Sequence, residues 1–161
     1  MVRLEPMTAE QFDLYVATAV PGYADAHIAA GDCAPEDALA LAQNDYRQLL
    51  PDGLKSANQF LFTIRDDALG NNEIVGMVWF AVKEGRLVRS AYIYDITVRE
   101  DLRGKGYGRL AIAEVEKHVQ EMGIFKISLN VFGYNHGARA LYEKIGYQIT
   151  GIGMTKTLAE Q

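Results

Sequence analysis

The chain has 161 residues, of which 49% are hydrophobic and 23% charged, and its formal net charge is −5. That length suits one domain, expected over residues 1–161, with a core large enough to fold without a metal or a disulfide. The composition excludes a disordered chain, and the acidic balance argues against a nucleic-acid binder, which usually carries the opposite sign.

The one cysteine, Cys33, can form no intrachain disulfide, which fits a reducing compartment; it reads as a small semi-buried residue or as a lone nucleophile. His27, His118 and His136 are scattered without metal-ligand spacing, so no metal is expected. The start, MVRLEPMTAEQF, has no apolar signal core, and no apolar run approaches a membrane span. The expectation is a cytoplasmic protein without membrane or nucleic-acid partners.

In chain order, Val2–Pro6 alternates like a short strand. Thr8-Ala-Glu-Gln11 is a capping box, with Met7 and Phe12 placed as a hydrophobic staple. Phe12, Tyr15, Val16 and Ala19 share the face of the helix that follows, and Pro21-Gly22 is expected to end it. Residues 22–34 are ambiguous; Asp25 and Asp32 there read as a solvated loop or as partners for a cationic substrate. Pro35 suits the first position of a second helix, with Glu36 and Asp37 at its positive end and Leu39, Ala42, Tyr46 and Leu49 as the buried stripe. Pro51-Asp52-Gly53 makes a turn.

The period then changes to two. Gln59–Arg65, Ile74–Val82 and Ser90–Val98 read as an antiparallel meander, joined by a polar turn over Asp66–Asn72 and by Lys83-Glu84-Gly85. A third helix is expected over Gly106–Met122, then a strand Lys126–Val131 lying parallel to Ser90–Val98. Asn135 caps a fourth helix, with Ala138, Leu141, Tyr142 and Ile145 inward and Gly146 as the stop. Tyr147–Thr150 and Met154–Leu158 close as a hairpin. The order is β-αα-βββ-α-β-α-ββ, a mixed α/β sheet with helices on both faces.

Between a strand and a helix stands Arg103-Gly104-Lys105-Gly106-Tyr107-Gly108. N–H groups at a helix start point outward unpaired, and glycines let an anion approach the backbone closely. With Arg99, Arg103, Lys105 and Arg109, the stretch is a cationic patch on an acidic chain. It reads as a diphosphate cradle or as a tight turn with solvated cations. Lys105-Gly106 does not fit a Walker A loop, and the third glycine comes too soon for a dinucleotide fingerprint.

This stretch resembles the [Q/R]-x-x-G-x-[G/A] signature of the GCN5-related N-acetyltransferase (GNAT) superfamily. Asn135-His-Gly-Ala-Arg-Ala-Leu-Tyr142-Glu-Lys-Ile-Gly146-Tyr147 resembles the family's second signature, and the element order is similar over nearly the whole chain. The N-terminal half is similar to a bacterial subgroup of that family. The resemblance implies a GNAT-like fold and acyl transfer from acetyl-CoA to an amine, on a small molecule or a protein. It implies that the diphosphate sits on Arg103, Gly104, Lys105, Gly106, Tyr107, Gly108 and Arg109. The pantetheine arm would lie between Ser90–Val98 and Lys126–Val131, near Ile96, Val98 and Asn135. Tyr142 is implied as the acid for the departing thiolate, and dimers are common in the family.

The reaction needs a base for the ammonium, and an amide, Asn130, stands where some relatives carry a glutamate. Asp95 is the remaining carboxylate on the central strand, catalytic or a structural hydrogen-bond partner. On a two-residue period it faces the same side as Ile93 and Thr97. Ile96 is the candidate N–H donor for the oxyanion, at a bulge. Tyr92, Tyr94 and Tyr134 line an amine pocket or merely pack. The missing glutamate leaves open a non-catalytic acyl-CoA sensor of the same fold.

Overall fold

The computed structural model describes residues 1–70 and 73–158; Asn71 and Asn72, in the expected polar turn, lie outside the described residues. Five strands form one sheet in the order β1-β2-β3-β4-β5: β1 (Val2–Pro6), β2 (Gln59–Asp66), β3 (Glu73–Glu84), β4 (Arg89–Val98) and β5 (Ile127–Leu129). The first four are antiparallel neighbours, and β5 is parallel to β4. The helices are α1 (Ala9–Ala30), α2 (Pro35–Leu49), α3 (Tyr107–Glu121) and α4 (His136–Lys144).

Alternation along the strands makes two apolar faces. Phe62, Ile64, Val78, Phe80 and Ile93 pack with Ala111, Val115 and Val119 of α3. Leu61 and Trp79 point the other way, onto Tyr15, Val20 and Ala24 of α1 and Ala38, Ala42 and Tyr46 of α2. The sheet therefore has helices on both faces, the mixed α/β arrangement that the sequence order implies. Gly76 permits a close approach within it: a Cβ there would stand 2.2 Å from the Thr97 carbonyl oxygen.

Three local expectations are corrected. Pro21 does not end the first helix. It sits inside α1, whose capping box at Thr8 and left-handed stop at Gly31 set the true ends. Proline mid-helix costs about 3 kcal/mol, offset here because Tyr15 and Val20 before it and Ala24 after it are all buried in the core shared by α1, α2 and the sheet. The stripe of α2 runs through Ala38 rather than Leu39, which is exposed, because small residues allow the close packing of α1 on α2.

The third correction concerns the chain end. The expected order is followed from β1 to α4, but Tyr147–Thr150 and Met154–Leu158 form no strands. Residues 148–158 are exposed and make no backbone hydrogen bond among the described residues. A strand needs a neighbouring edge to satisfy its N–H and C=O groups, and this segment lies against none.

Candidate functional site

Strand β4 carries an irregularity on which the site depends. Its register against β3 pairs Trp79 with Asp95 and Phe80 with Ile93, so Tyr94 is an extra residue, a β-bulge. The bulge breaks the two-residue period. Asp95 turns to the α1/α2 face with Thr97, whereas Ile93 stays in the α3 core. The expectation that Asp95 shares a side with Ile93 is overturned for that reason. Pairing of β4 with β5 also stops at Ile93, the residue before the bulge. β5 is accordingly three residues long rather than six, and from Tyr94 to Val98 the β4 edge has no partner on the β5 side among the described residues.

Asp95 is held tightly. Tyr15 Oη donates to its Oδ2 at 3.0 Å, and Thr97 Oγ1 donates to its Oδ1 at 3.1 Å. Burial raises its pKa above the ordinary carboxylate value, against the lowering effect of these bonds and of the Ile96 N–H. Tyr15 lies deep under α1, and burial followed by the Asp95 charge pushes its own pKa far up. Tyr46 stands behind Tyr15, raised to about 12 mainly by burial. Trp79 closes the group, 4.5 Å from the Tyr94 ring and 5.3 Å from the Tyr46 ring, with its Nε1 donating to Gln59 Oε1 at 2.8 Å.

Tyr142, on α4, is half-buried. Burial first and the Asp95 charge second push its pKa up to about 12, so its hydroxyl holds its proton at neutral pH. The two residues thus lie within electrostatic reach of one another, and Tyr142 lines the groove beside β5. Asn135 Oδ1 accepts from the Ala138 N–H at 3.2 Å, the expected helix cap. Asn130 follows β5 directly and lines the same groove as Tyr142.

After β4 a short 3-10 turn, Glu100–Leu102, buries Leu102 and turns the chain toward α3. Gly104 and Gly106 have φ of +74° and +88°, the left-handed conformation that glycine adopts without strain. Alternating hands turn successive N–H groups to one side, and no side chain caps the start of α3. This is a cradle of backbone donors at the positive end of a helix dipole. Gly108 serves packing instead: a Cβ there would stand 3.0 Å from Leu141 Cδ2, across the α3/α4 contact.

The cations divide. Arg99 binds Asp101, with Nη2 to Oδ2 at 2.6 Å, and also Glu73, so it clamps the base of the loop rather than facing an anion. Arg103 is exposed with its Nε on the Val98 carbonyl at 3.2 Å. Lys105 and Arg109 are exposed, with no carboxylate in ion-pairing distance among the described residues. Tyr107 Oη donates to Asp66 Oδ2 at 2.8 Å and pins the loop to β2. Asp66 is lowered to about 2, first by the Ala68 N–H.

The remaining candidates are engaged elsewhere. Lys83 Nζ stands 3.9 Å above the Tyr92 ring and 5.0 Å above that of Tyr94, so this aromatic shelf already carries a cation. Asp32 meets His27 Nδ1 at 2.9 Å, and Tyr134 donates to the Ala26 carbonyl at 3.4 Å. Sequence reasoning placed Tyr15 and Tyr46 on buried faces but did not join them to Asp95. A tyrosine on an apolar stripe needs a partner for its hydroxyl, which was the available signal.

Residues 25–147 match the model of the "Acetyltransferase (GNAT) family". The chain is 37% identical to "Uncharacterized N-acetyltransferase YycN" of Bacillus subtilis, over 98% of this chain and 99% of that protein. It is 31% identical to "Uncharacterized N-acetyltransferase YdgE" of the same organism, over 96% and 97% of the two chains. The crystal structure of the putative acetyltransferase YycN superposes with a TM-score of 0.93, covering 99% of this chain and 100% of that one.

Proposed function

The chain belongs to the GNAT family of acetyltransferases, and from that premise we propose that it moves an acetyl group from acetyl-CoA to a primary amine. The observation that carries the reading is the glycine loop opening α3, with its left-handed Gly104 and Gly106 and its uncapped N–H groups, beside the place where β4 and β5 part. Backbone donors and a helix dipole suit a diphosphate, with Arg103, Lys105 and Arg109 adding charge. The free β4 edge at Ile96 and Val98 offers main-chain groups to a pantetheine amide, as an added strand would. Asn135 Oδ1 caps α4, and its Nδ2 makes no hydrogen bond among the described residues.

Acetyl-CoA supplies the activated acyl group; the chain manages protons. An alkyl ammonium must lose one before its nitrogen can attack. Asp95 is proposed to accept it, directly or through water. Burial makes this carboxylate a stronger base than a free one, and Tyr15 and Thr97 fix its direction. Tyr142 is proposed to protonate the leaving thiolate. Its raised pKa keeps it in the acid form throughout the physiological range. The acceptor is an amine of a small molecule or of a protein, drawn to an acidic chain.

The test is calorimetric titration with acetyl-CoA, with ATP and NAD as controls, followed by an amine panel with release of free thiol as readout. Micromolar binding of acetyl-CoA alone is the expected result; no binding refutes the loop assignment. A second reading, an acyl-CoA sensor without turnover, draws on Asn130, an amide where a base would stand. Acetylation of any amine in the panel excludes it.

A further inference from the structure

On the same sheet face as Asp95 lies an aromatic shelf that seats an alkylammonium of this chain's own. Tyr92 and Tyr94 meet edge to face with ring centroids 4.8 Å apart, and Trp79 stacks on Tyr94 at 4.5 Å. Lys83 Nζ stands 3.9 Å above the Tyr92 ring and 5.0 Å above that of Tyr94. Ring faces attract a cation through their quadrupole, most of all one that has no carboxylate beside it. Lys83 is exposed and has no ion-pair partner among the described residues. Its flexible stem therefore leaves the rings at little cost.

The bulge sets the distance from this shelf to the carboxylate. Tyr92 stands opposite Ala81 and Asp95 opposite Trp79, so two steps of β3 separate them. That is about 7 Å along the strand. Ala81 and Trp79 share a face, and Tyr92 and Asp95 share it with them. Without the extra residue, positions 92 and 95 would point to opposite faces. An extended alkyl chain of about four to six carbons spans the gap. The surroundings are acidic. Tyr23 of α1 lies within electrostatic reach of both Tyr92 and Asp45, and Asp45, half-buried on α2, has no ion-pair partner among the described residues.

From this arrangement we propose that the acceptor is a linear α,ω-diamine. Its near nitrogen lies at Asp95, and its far ammonium takes the place of Lys83 on the Tyr92 and Tyr94 rings. Lys83 is then a specificity-determining residue: it fills the subsite until a dication displaces it, and a monoamine leaves it in place. The fate of the near nitrogen rests on the acetyl-transfer reading. That nitrogen gives up one proton through Asp95 to solvent and a second that restores Tyr142. The C–N bond forms, the C–S bond breaks, and the products are free coenzyme A and a monoacetylated diamine. The shelf as a cation site stands without that chemistry.

The test compares three chains of one length: 1,5-diaminopentane, pentylamine and 5-aminopentanoate, which end in an ammonium, a methyl and a carboxylate. Each is titrated with and without coenzyme A and read by the fluorescence of Trp79, the chain's one tryptophan, which stacks on the shelf. The diamine should bind about 3- to 10-fold more tightly than pentylamine, the range for a cation on aromatic faces. Tyr92→Leu should abolish that preference. Lys83→Met keeps the stem, removes the charge and should raise the preference about 3-fold. Circular dichroism checks that both variants fold. Equal binding of diamine and pentylamine would overturn the proposal. So would a preference for 5-aminopentanoate that Lys83→Met removes, the mark of an anion anchor, or a diamine preference that neither substitution moves. Release of free thiol from acetyl-CoA is then measured with the same three amines. Preferential diamine binding without thiol release refutes acetyl transfer while the cation site stands. Thiol release at equal kcat/KM from diamine and pentylamine, without preferential binding, refutes the diamine site while acetyl transfer stands.

Discussion

Replacing Tyr15 by Phe removes one hydroxyl and leaves the ring that packs between α1 and the sheet. The lost bond is the 3.0 Å contact to Asp95 Oδ2, across 80 positions of sequence. A hydrogen bond to a charged group contributes about 1.5–3 kcal/mol, a neutral one about 1 kcal/mol. The pH dependence fixes the sign. Burial raises the Asp95 pKa in the folded state, while the unfolded carboxyl titrates near its ordinary value of about 4. The folded state therefore holds that proton more tightly, and the stability this contributes at low pH is lost as pH rises through the raised value. The Tyr15 bond opposes this loss by favouring the carboxylate. The variant should accordingly lose about 1.5–3 kcal/mol at pH 7 and about 1 kcal/mol near pH 4. At about 2–4 °C per kcal/mol for a chain of this size, Tm should fall by roughly 3–12 °C at pH 7. Urea unfolding of the parent protein, Tyr15→Phe, Asp95→Asn and the double variant at both pH values measures it. Equal losses at pH 4 and pH 7, or additive effects in the double variant, would refute a charge-assisted Tyr15–Asp95 pair.

Tyr142→Phe should lower turnover by about 100-fold or more with acetyl-CoA affinity unchanged, the span expected for a general acid. Unchanged turnover removes Tyr142 as the acid. Because its pKa is about 12, no descending limb from Tyr142 should enter the pH–rate profile below about pH 10. A limb below that value that vanishes in Tyr142→Phe contradicts the assignment. Gly106→Val places a β-branched residue at φ +88°, and acetyl-CoA affinity measured by calorimetry should fall by about 100-fold as the cradle distorts; retained affinity sinks the loop as the diphosphate site. Gly76→Ala sets a methyl 2.2 Å from the Thr97 oxygen, and urea unfolding should show a loss of about 1–3 kcal/mol from overpacking; an unchanged midpoint refutes the close approach of β3 and β4.

Local rules were enough for much of this protein. The capping box at Thr8, the prolyl start of α2, the change to period two at Gln59 and the glycine loop before α3 are written in short windows of sequence. Backbone sterics and hydrogen-bond arithmetic act within such windows, so the order from β1 to α4 was legible. So were the cradle glycines Gly104 and Gly106, whose conformation follows from having no Cβ. The rest was decided between distant segments. Pro21 stays helical because burial on both sides of it outweighs a local rule. The bulge at Tyr94 changes the face of Asp95, and only the register of β3 against β4 places it. Tyr15 meets that carboxylate because α1 packs on the sheet face to which the bulge turns Asp95. The chain end makes the same point. Residues 147–158 alternate like strands, yet alternation only prepares a segment for a sheet, and a free edge within reach decides whether one forms.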